Sequence, residues 1–446
     1  MTPADPSEPA DRIGGALRAV GRNLGWLLAS RGVLAVLSLF YLGIATRSLG
    51  VVGFGRFALV AGAAQALSTL VAFQSWQVVV QFGMAPSQAG DDAALGRLFR
   101  GSLVLDIGSA VLGSVLAALI LHIWGDAFGI GPTLQRAALI YAIIQVVTIR
   151  STPLGILRLS DRFSYAALAD SVTPVGRFIG AWLVLLIHPT VQGFLFVWGA
   201  AELLTAAAFW ILAARVGGWR LIREGRGLRQ LFAEHPGLWR FALSTNASST
   251  LALSSKQVPL LLVGAFAGPA AAGVFRLAAQ IAQALAKLSQ LIARAAFPEV
   301  VRAVQNAGRR DLVRILSRLF LASGAGALVI LLLIVLLGKP VLNLVGGQQF
   351  HAAWPLLLWL AAAGCLDLAT VGIDTLMTAL QRAGTVFAIR AAGVIVLFAT
   401  AFTLMPRIGA TGMAVAVTVG SAVVAAMMTA ASIRMTRGRA EPDVPQ

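Results

Sequence analysis

The chain has 446 residues, of which 58% are hydrophobic and only 12% charged, with a mean hydropathy of +0.83; an ordinary soluble domain carries roughly 25% charged residues. This composition excludes a soluble enzyme or binding module and points to a polytopic membrane protein. A formal net charge of +17 would suggest nucleic acid in a soluble protein, but here it reads as basic cytosolic loops and attraction to anionic lipids, so membrane lipids and no nucleic acid are the expected contacts.

Residues 1–22 mix prolines and acids with Arg12, Arg18 and Arg22 and have no apolar core, so they read as a cytosolic N-terminal tail and not as a cleavable signal. Apolar runs long enough for a bilayer core about 30 Å thick then centre near residues 35, 68, 112, 144, 176 and 201. They predict a first lobe of six helices over residues 23–214. The basic stretch 215–240, RVGGWRLIREGRGLRQLFAEHPGLWR, reads as a cytosolic linker with a short amphipathic helix at the bilayer surface. Six further runs, near 254, 284, 326, 366, 395 and 420, predict a second lobe over residues 241–434, followed by a cytosolic tail at 435–446. The expected fold is all-α and polytopic: twelve transmembrane helices in two pseudo-symmetric six-helix lobes, V-shaped around a central cavity. With both termini inside, most Lys and Arg fall on the cytosolic side, whereas Arg47, Arg56, Arg136, Arg276, Lys339 and Arg407 fall on the other.

The two halves are related in sequence. Residues 50–70 align without a gap with residues 268–288, so that Gly50, Gly55, Phe57, Ala61, Gln65 and Leu67 recur as Gly268, Gly273, Phe275, Ala279, Gln283 and Leu285. Six helices separate the copies, so both halves enter the membrane in the same direction. That is a parallel repeat about an axis along the membrane normal, with substrate expected between the lobes.

In the eighth predicted helix Arg276, Gln280, Gln283, Lys287, Gln290 and Arg294 recur every three or four residues and share one face, while Leu277, Ile281, Leu285, Leu288 and Ile292 cover much of the rest. More generally, Arg31, Arg150, Arg177, Lys256, Lys287 and Arg294 lie within predicted helices. Each would cost roughly 2.5–3.5 kcal/mol facing lipid near the bilayer centre, so a wet cavity or a partner is expected. Arg31, Arg150 and Arg294 are near enough to helix ends for snorkelling to serve equally well. A basic lumen suits an anionic cargo, because arginine offers a planar fork to phosphate and lysine a mobile point charge. Gln77, Gln280, Gln283 and Gln290, with Trp76, can hydrogen-bond or stack on sugars; hydrogen bonds between helices account for the glutamines equally well.

The intramembrane acids are Asp106, Asp170, Glu202, Asp367 and Asp374, and the first helix has none. Asp170, Asp367 and Asp374 are the candidates for carrying a coupling ion, with salt bridges to a lumen base as their alternative role. Four scattered histidines and the single Cys365 offer no metal-ligand spacing and no disulfide, so neither a metal nor a cofactor is expected. Gly50-Val-Val-Gly-Phe-Gly lacks the preceding strand of a phosphate loop, and no enzyme signature emerges.

The stretches TRSLGVVGFGRFALV, VGAFAGPAAAGVFRLAAQ, AFPEVVRA and PRIGATGMAVAVTVG resemble the oligosaccharide flippase branch of the multidrug/oligosaccharidyl-lipid/polysaccharide exporter superfamily. The resemblance implies two six-helix bundles facing across a cavity, alternating access, and movement of undecaprenyl-diphosphate-linked sugar units across a bacterial inner membrane. It also implies a polyprenyl-diphosphate-linked glycan as cargo and polysaccharide polymerase machinery as a further partner. The same superfamily contains multidrug and amphiphile antiporters, whose organic cations suit a base-rich lumen badly. A membrane-integral polysaccharide polymerase, ligase or glycosyltransferase would need a sizeable external loop, whereas the external connections here are short. Replacing both Lys256 and Lys287 by Ala is expected to impair glycan export at unchanged expression; full activity of the double variant would remove charge recognition from the account.

Overall fold

The computed structural model describes residues 8–124, 132–295, 309–379 and 382–438, and every element within them is helical. The first half contains α1 (Glu8–Val71), α2 (Ser75–Ala89), α3 (Asp92–Trp124), α4 (Pro132–Val147), α5 (Ser151–Leu159), α6 (Phe163–Ile187) and α7 (Val191–Arg215). Two short helices, α8 (Gly218–Glu224) and α9 (Leu228–Glu234), follow. The second half contains α10 (Leu238–Lys256), α11 (Val258–Ala295), α12 (Arg309–Gly346), α13 (Ala353–Ala379) and α14 (Ala383–Gly438), with a 3-10 turn at Gln348–Phe350.

Among the described residues nine stretches are long and apolar enough to cross a membrane. Three of them, Val36–Ala89, Leu238–Ala284 and Gly384–Arg434, run to 54, 47 and 51 residues, about twice the roughly 20 residues that one crossing needs. Each turns back on itself with almost no connecting loop, at Gly50 (φ 66°, ψ −177°), at Gly268 (φ 81°, ψ 175°) and at Ile408–Gly409 (Gly409 φ 57°, ψ −136°). Counted as pairs, these stretches bring the crossings to twelve. The left-handed φ at each break is open to glycine at little cost and strained for any residue with a Cβ. Gly50 and Gly268 are matched positions of the repeat, and they adopt the same backbone conformation.

Beyond those two breaks the second arm of α1 crosses the second arm of α11, and α1 with α11 is the most extensive helix pairing among the described residues. A Cβ added to Gly55 would lie 1.7 Å from the Pro269 carbonyl oxygen, and one added to Gly273 would lie 2.6 Å from the Val51 carbonyl oxygen. In the repeat register Val51 corresponds to Pro269 and Gly55 to Gly273, so each half presents the same small residue to the same carbonyl of the other. This is a self-complementary contact about a pseudo-two-fold axis. In lipid, where helices gain nothing from leaving water, such close backbone approach supplies the dispersion contact that holds them together. Around it Phe54, Phe57, Leu260, Phe275, Leu277 and Phe350 belong to one buried cluster that joins both halves.

Two of the membrane-crossing stretches of the first half are interrupted, between α1 and α2 at residues 72–74 and between α4 and α5 at residues 148–150. Their exposed carbonyls find donors: Ala72 O accepts from Asn246 Nδ2 at 2.9 Å and Ile149 O from Trp210 Nε1 at 3.0 Å. The connecting segment lies against the start of α3, where Arg97 pairs with Glu234 at 2.7 Å and Arg100 Nη1 donates to Gly225 O at 3.1 Å.

The Gly55–Gly273 crossing packs the two halves backbone to backbone at the face of the bundle that carries the Gly50 and Gly268 breaks. Gly55→Ala is therefore expected to wedge it open. In a variant with Cys365 replaced and a cysteine installed at Ala61, an impermeant thiol reagent added from that face should react several-fold faster once Gly55→Ala is introduced; an unchanged rate would show that the crossing does not restrict access from it.

Candidate functional site

A cavity of about 380 Å³ lies between the halves, with walls from α1, α4, α6 and α7 on one side and α10 and α11 on the other. Three basic side chains reach it: Arg177 from α6, Lys256 from α10 and Arg276 from α11. No carboxylate lines it among the described residues. Its remaining polar lining includes Tyr41, Tyr141, Gln65, Gln74, Gln257 and Gln280.

The three cations differ in how they are held. Arg177 Nη2 meets Glu202 Oε1 at 2.6 Å, its guanidinium lies 5.4 Å from the Trp198 ring centroid, and the Tyr41 hydroxyl is within its hydrogen-bonding reach. Arg276 has no carboxylate partner among the described residues. Instead its Nη1 is 3.4 Å from Gln257 Oε1, and Gln280, with its amide turned to satisfy both groups, accepts from Arg276 Nε and Nη2 at 3.0 Å each. Neutral amides orient a guanidinium without cancelling its charge, so Arg276 keeps its charge available to an anion. Lys256 makes no ion pair within 4 Å among the described residues, and Asp367 on α13 is near enough to act on it electrostatically.

Glu202, on α7, organises the other side. It is 2% exposed and receives two guanidiniums, Arg177 on Oε1 at 2.6 Å and Arg150 on Oε2 at 2.7 Å. One carboxylate between two arginines leaves a net positive charge, and the buried Nε of Arg177 has no hydrogen-bond partner. Arg150 itself sits at the α4–α5 interruption and lines a second, smaller cavity.

Of the residues singled out by sequence, the structure thus brings Arg177, Lys256 and Gln280 together in the cavity and ties Arg150 to it through Glu202. Gln77 on α2 is half-buried outside the lining, and Gln283 is exposed outside it. The side chains of Arg31, Lys287, Gln290 and Arg294 lie outside the described residues. Asp170 is exposed on α6 and has an interaction partner of its own. Asp374 pairs with Arg390 at 2.6 Å, and Asp367 lies beside Ser421. Trp76, considered for sugar stacking, carries the Arg158 guanidinium on its face, 4.0 Å from the centroid.

Two assignments change. Arg276, counted by sequence among the residues of the far membrane face, lines the cavity, on the arm of α11 that follows the break at Gly268. Its position at the head of the polar stripe was the available signal. Glu202 was an acid without a role; only the packing of α4, α6 and α7 shows that it joins two arginines distant in sequence.

Comparison with known proteins agrees with this architecture. A family model described as polysaccharide biosynthesis protein matches residues 20–304. Inner membrane protein YghQ of Escherichia coli (strain K12) is 30% identical over 345 residues, which cover 77% of this chain and 97% of the relative. Among solved structures, a multidrug resistance MATE family transporter of the MOP superfamily in an inward-facing conformation superposes with a TM-score of 0.72 at 15% identity, covering 90% of this chain and 94% of that one. The lipid II flippase MurJ, in an inward closed conformation, gives 0.71 at 12% identity, with 91% and 87% covered. At these identities the two structures show a shared fold.

Glu202→Gln removes the partner of two guanidiniums at once and is expected to cost about 3–5 kcal/mol, read as a lower melting temperature in detergent. The same change should raise the affinity of the cavity for inorganic diphosphate, since Arg177 loses its competitor. Weaker diphosphate binding in a folded variant would show that Glu202 does not compete with anions there.

Proposed function

Because this chain belongs to the polysaccharide biosynthesis protein family, a family of multi-pass membrane transporters of the flippase type, we propose that it moves an undecaprenyl-diphosphate-linked oligosaccharide across the bacterial inner membrane. The observation that carries the reading is the cavity between the halves: three basic side chains, no carboxylate among the described lining residues, and one arginine held only by amides. A diphosphate cannot pass through bare hydrocarbon, and it needs such donors at membrane depth. Similarity to YghQ, an inner membrane protein, and to MurJ, a lipid II flippase, supports the placement and the cargo class.

In this reading both termini are cytosolic and the cavity first admits cargo from their side. The diphosphate docks between Arg276 and Lys256 of one half and Arg177 of the other, while the polyprenyl chain stays in lipid and the sugars meet Gln65, Gln74 and Gln280. Bridging both halves, the anion favours their approach on the cytosolic side; rocking about the pseudo-two-fold axis then parts the Gly55–Gly273 contact and opens the opposite face. The glycan is delivered to polysaccharide polymerase machinery on that side. An organic cation would meet three like charges in the same cavity, which disfavours the multidrug antiporter reading.

The reading is tested by reconstituting the protein in liposomes and following translocation of a polyprenyl-diphosphate-linked glycan. Arg276→Ala is expected to weaken lipid-diphosphate binding by about 10- to 150-fold, from about 1.5–3 kcal/mol for hydrogen bonds to a charged group. Arg276→Lys should recover only part of it, because the fork is lost. Unaltered transport of the glycan by Arg276→Ala, or efficient transport of a lipophilic cation by the native protein, would overturn the proposal.

A further inference from the structure

The segment that joins the halves leaves one membrane-crossing stretch at Arg215 and enters the next at Leu238, so it lies at a membrane surface. Its amphipathic pattern predicts an apolar face laid into lipid, but the structure turns that face inward. Leu221 and Ile222 of α8 join a buried cluster with Leu95 and Phe99 of α3, while Leu231 of α9 and Leu238 of α10 join another with Val78 and Leu98. Backbone contact and charge pairs hold the segment there. A Cβ added to Gly225 would collide with the Gly96 carbonyl, Arg100 Nη1 donates to Gly225 O at 3.1 Å, and Arg97 gives Glu234 two bonds, from Nε at 3.2 Å and from Nη2 at 2.7 Å. The joining segment is thus fixed to the first half.

What remains outside is basic and aromatic. Arg215, Arg223, Arg226, Arg229 and Arg240 are exposed and make no ion pair among the described residues, and the segment's one carboxylate in the same condition is Glu224. Arg220 is exposed too, but it pairs with Asp92 at 3.1 Å. Trp219, Phe232 and Trp239 are exposed on the same segment, and Phe232 stacks on Trp239 with ring centroids 5.6 Å apart and planes 6° from parallel. Aromatic rings at a bilayer surface settle at headgroup level, and arginine there offers a planar fork to phosphate oxygens. Because two membrane-crossing stretches bracket the segment, the anion within reach of all these groups at once is a phospholipid headgroup. Five arginines against one carboxylate favour a headgroup with net negative charge.

We propose that the outer face of residues 215–240 is a docking surface for anionic phospholipids, with Arg226 and Arg229 as the phosphate donors and Trp219, Phe232 and Trp239 as anchors at headgroup level. The two arginines stand on either side of Gly227 (φ 91°), next to the turn that Gly96 and Arg100 fix against α3. Donors on a fixed backbone lose less freedom on binding than donors on a loose loop. The same assembly includes the start of α10, which carries Lys256 into the substrate cavity. Headgroups that hold the segment therefore hold the base of a helix that faces the cargo, which gives membrane composition a route to influence substrate binding. Only that influence rests on the flippase reading; lipid docking does not.

The test uses the full-length protein in neutral detergent without glycan, with melting temperature followed against added phosphatidylglycerol, phosphatidylcholine and soluble glycerol phosphate. A saturable upward shift of several degrees with phosphatidylglycerol alone is expected, and it should shrink as NaCl is raised. Replacing both Arg226 and Arg229 by Gln should remove most of the shift, and replacing both by Lys should keep part of it. Arg276→Ala, which alters the substrate cavity, should keep all of it. Both side chains are exposed, so the glutamine double variant is expected to melt like the native protein when no lipid is added. An equal shift with phosphatidylcholine or glycerol phosphate, or a phosphatidylglycerol shift that survives the glutamine double variant, would overturn the proposal. So would a shift lost in Arg276→Ala, which would put the lipid in the substrate cavity, or one produced only by a short oligonucleotide, which would make this a nucleic-acid surface. Absence of lipid-diphosphate binding with an intact phosphatidylglycerol shift would instead count against the flippase reading alone.

Discussion

A dipole or a charge inside a bilayer has no water to turn to, and the polar anatomy of this protein follows from how each one is answered. The carbonyls released at the α1–α2 and α4–α5 interruptions are met by Asn246 and Trp210. Asp106 is met by the starts of two half-helices, and Glu202 by two arginines. Arg276 alone of the three cavity cations is met only by neutral amides. The gradation matters for transport: an arginine paired with a carboxylate is a fixed part of the wall, whereas Arg276 and Lys256 keep a charge to offer to cargo.

The repeat supplies the mechanical half of the design. Two equivalent glycine breaks start two equivalent helices, and these cross where both carry glycine, so that backbone meets backbone in a reciprocal pair. Such a contact is made by shape, with no ion pair to desolvate or re-form, so it can part and close at small electrostatic cost. The charge is not distributed with the same symmetry. Lys256 and Arg276 come from the second half, while the first half contributes Arg177, already half-neutralised by Glu202. An anion entering the cavity is thus gripped mainly from one half and completes its contacts on the other, which makes its binding sensitive to their relative position.

Much of this was legible in the residues themselves. Apolar run lengths and basic loops dictate a polytopic helical chain, because burial in lipid and the positive-inside bias act on local composition. The correspondence of Gly50 with Gly268 and Gly55 with Gly273 was visible as a repeat, and the polar stripe from Arg276 onward marked the helix that lines the cavity. Lys256, Arg177 and Gln280 could be named for the cavity because a cation or amide in an apolar run is costly wherever it faces lipid.

Tertiary structure decided which of those polar groups meet. Arg150, Arg177 and Glu202 lie on three helices, and nothing in their spacing along the chain signals that one carboxylate serves both arginines. Asp106 looked like one more intramembrane acid until two helix interruptions converged on it. The same holds for Arg276, which lines the cavity on the arm that follows a left-handed glycine eight residues earlier. Composition and periodicity report how a residue relates to its own helix and to lipid; partners across helices depend on crossing points and breaks, which are set by packing of the whole bundle.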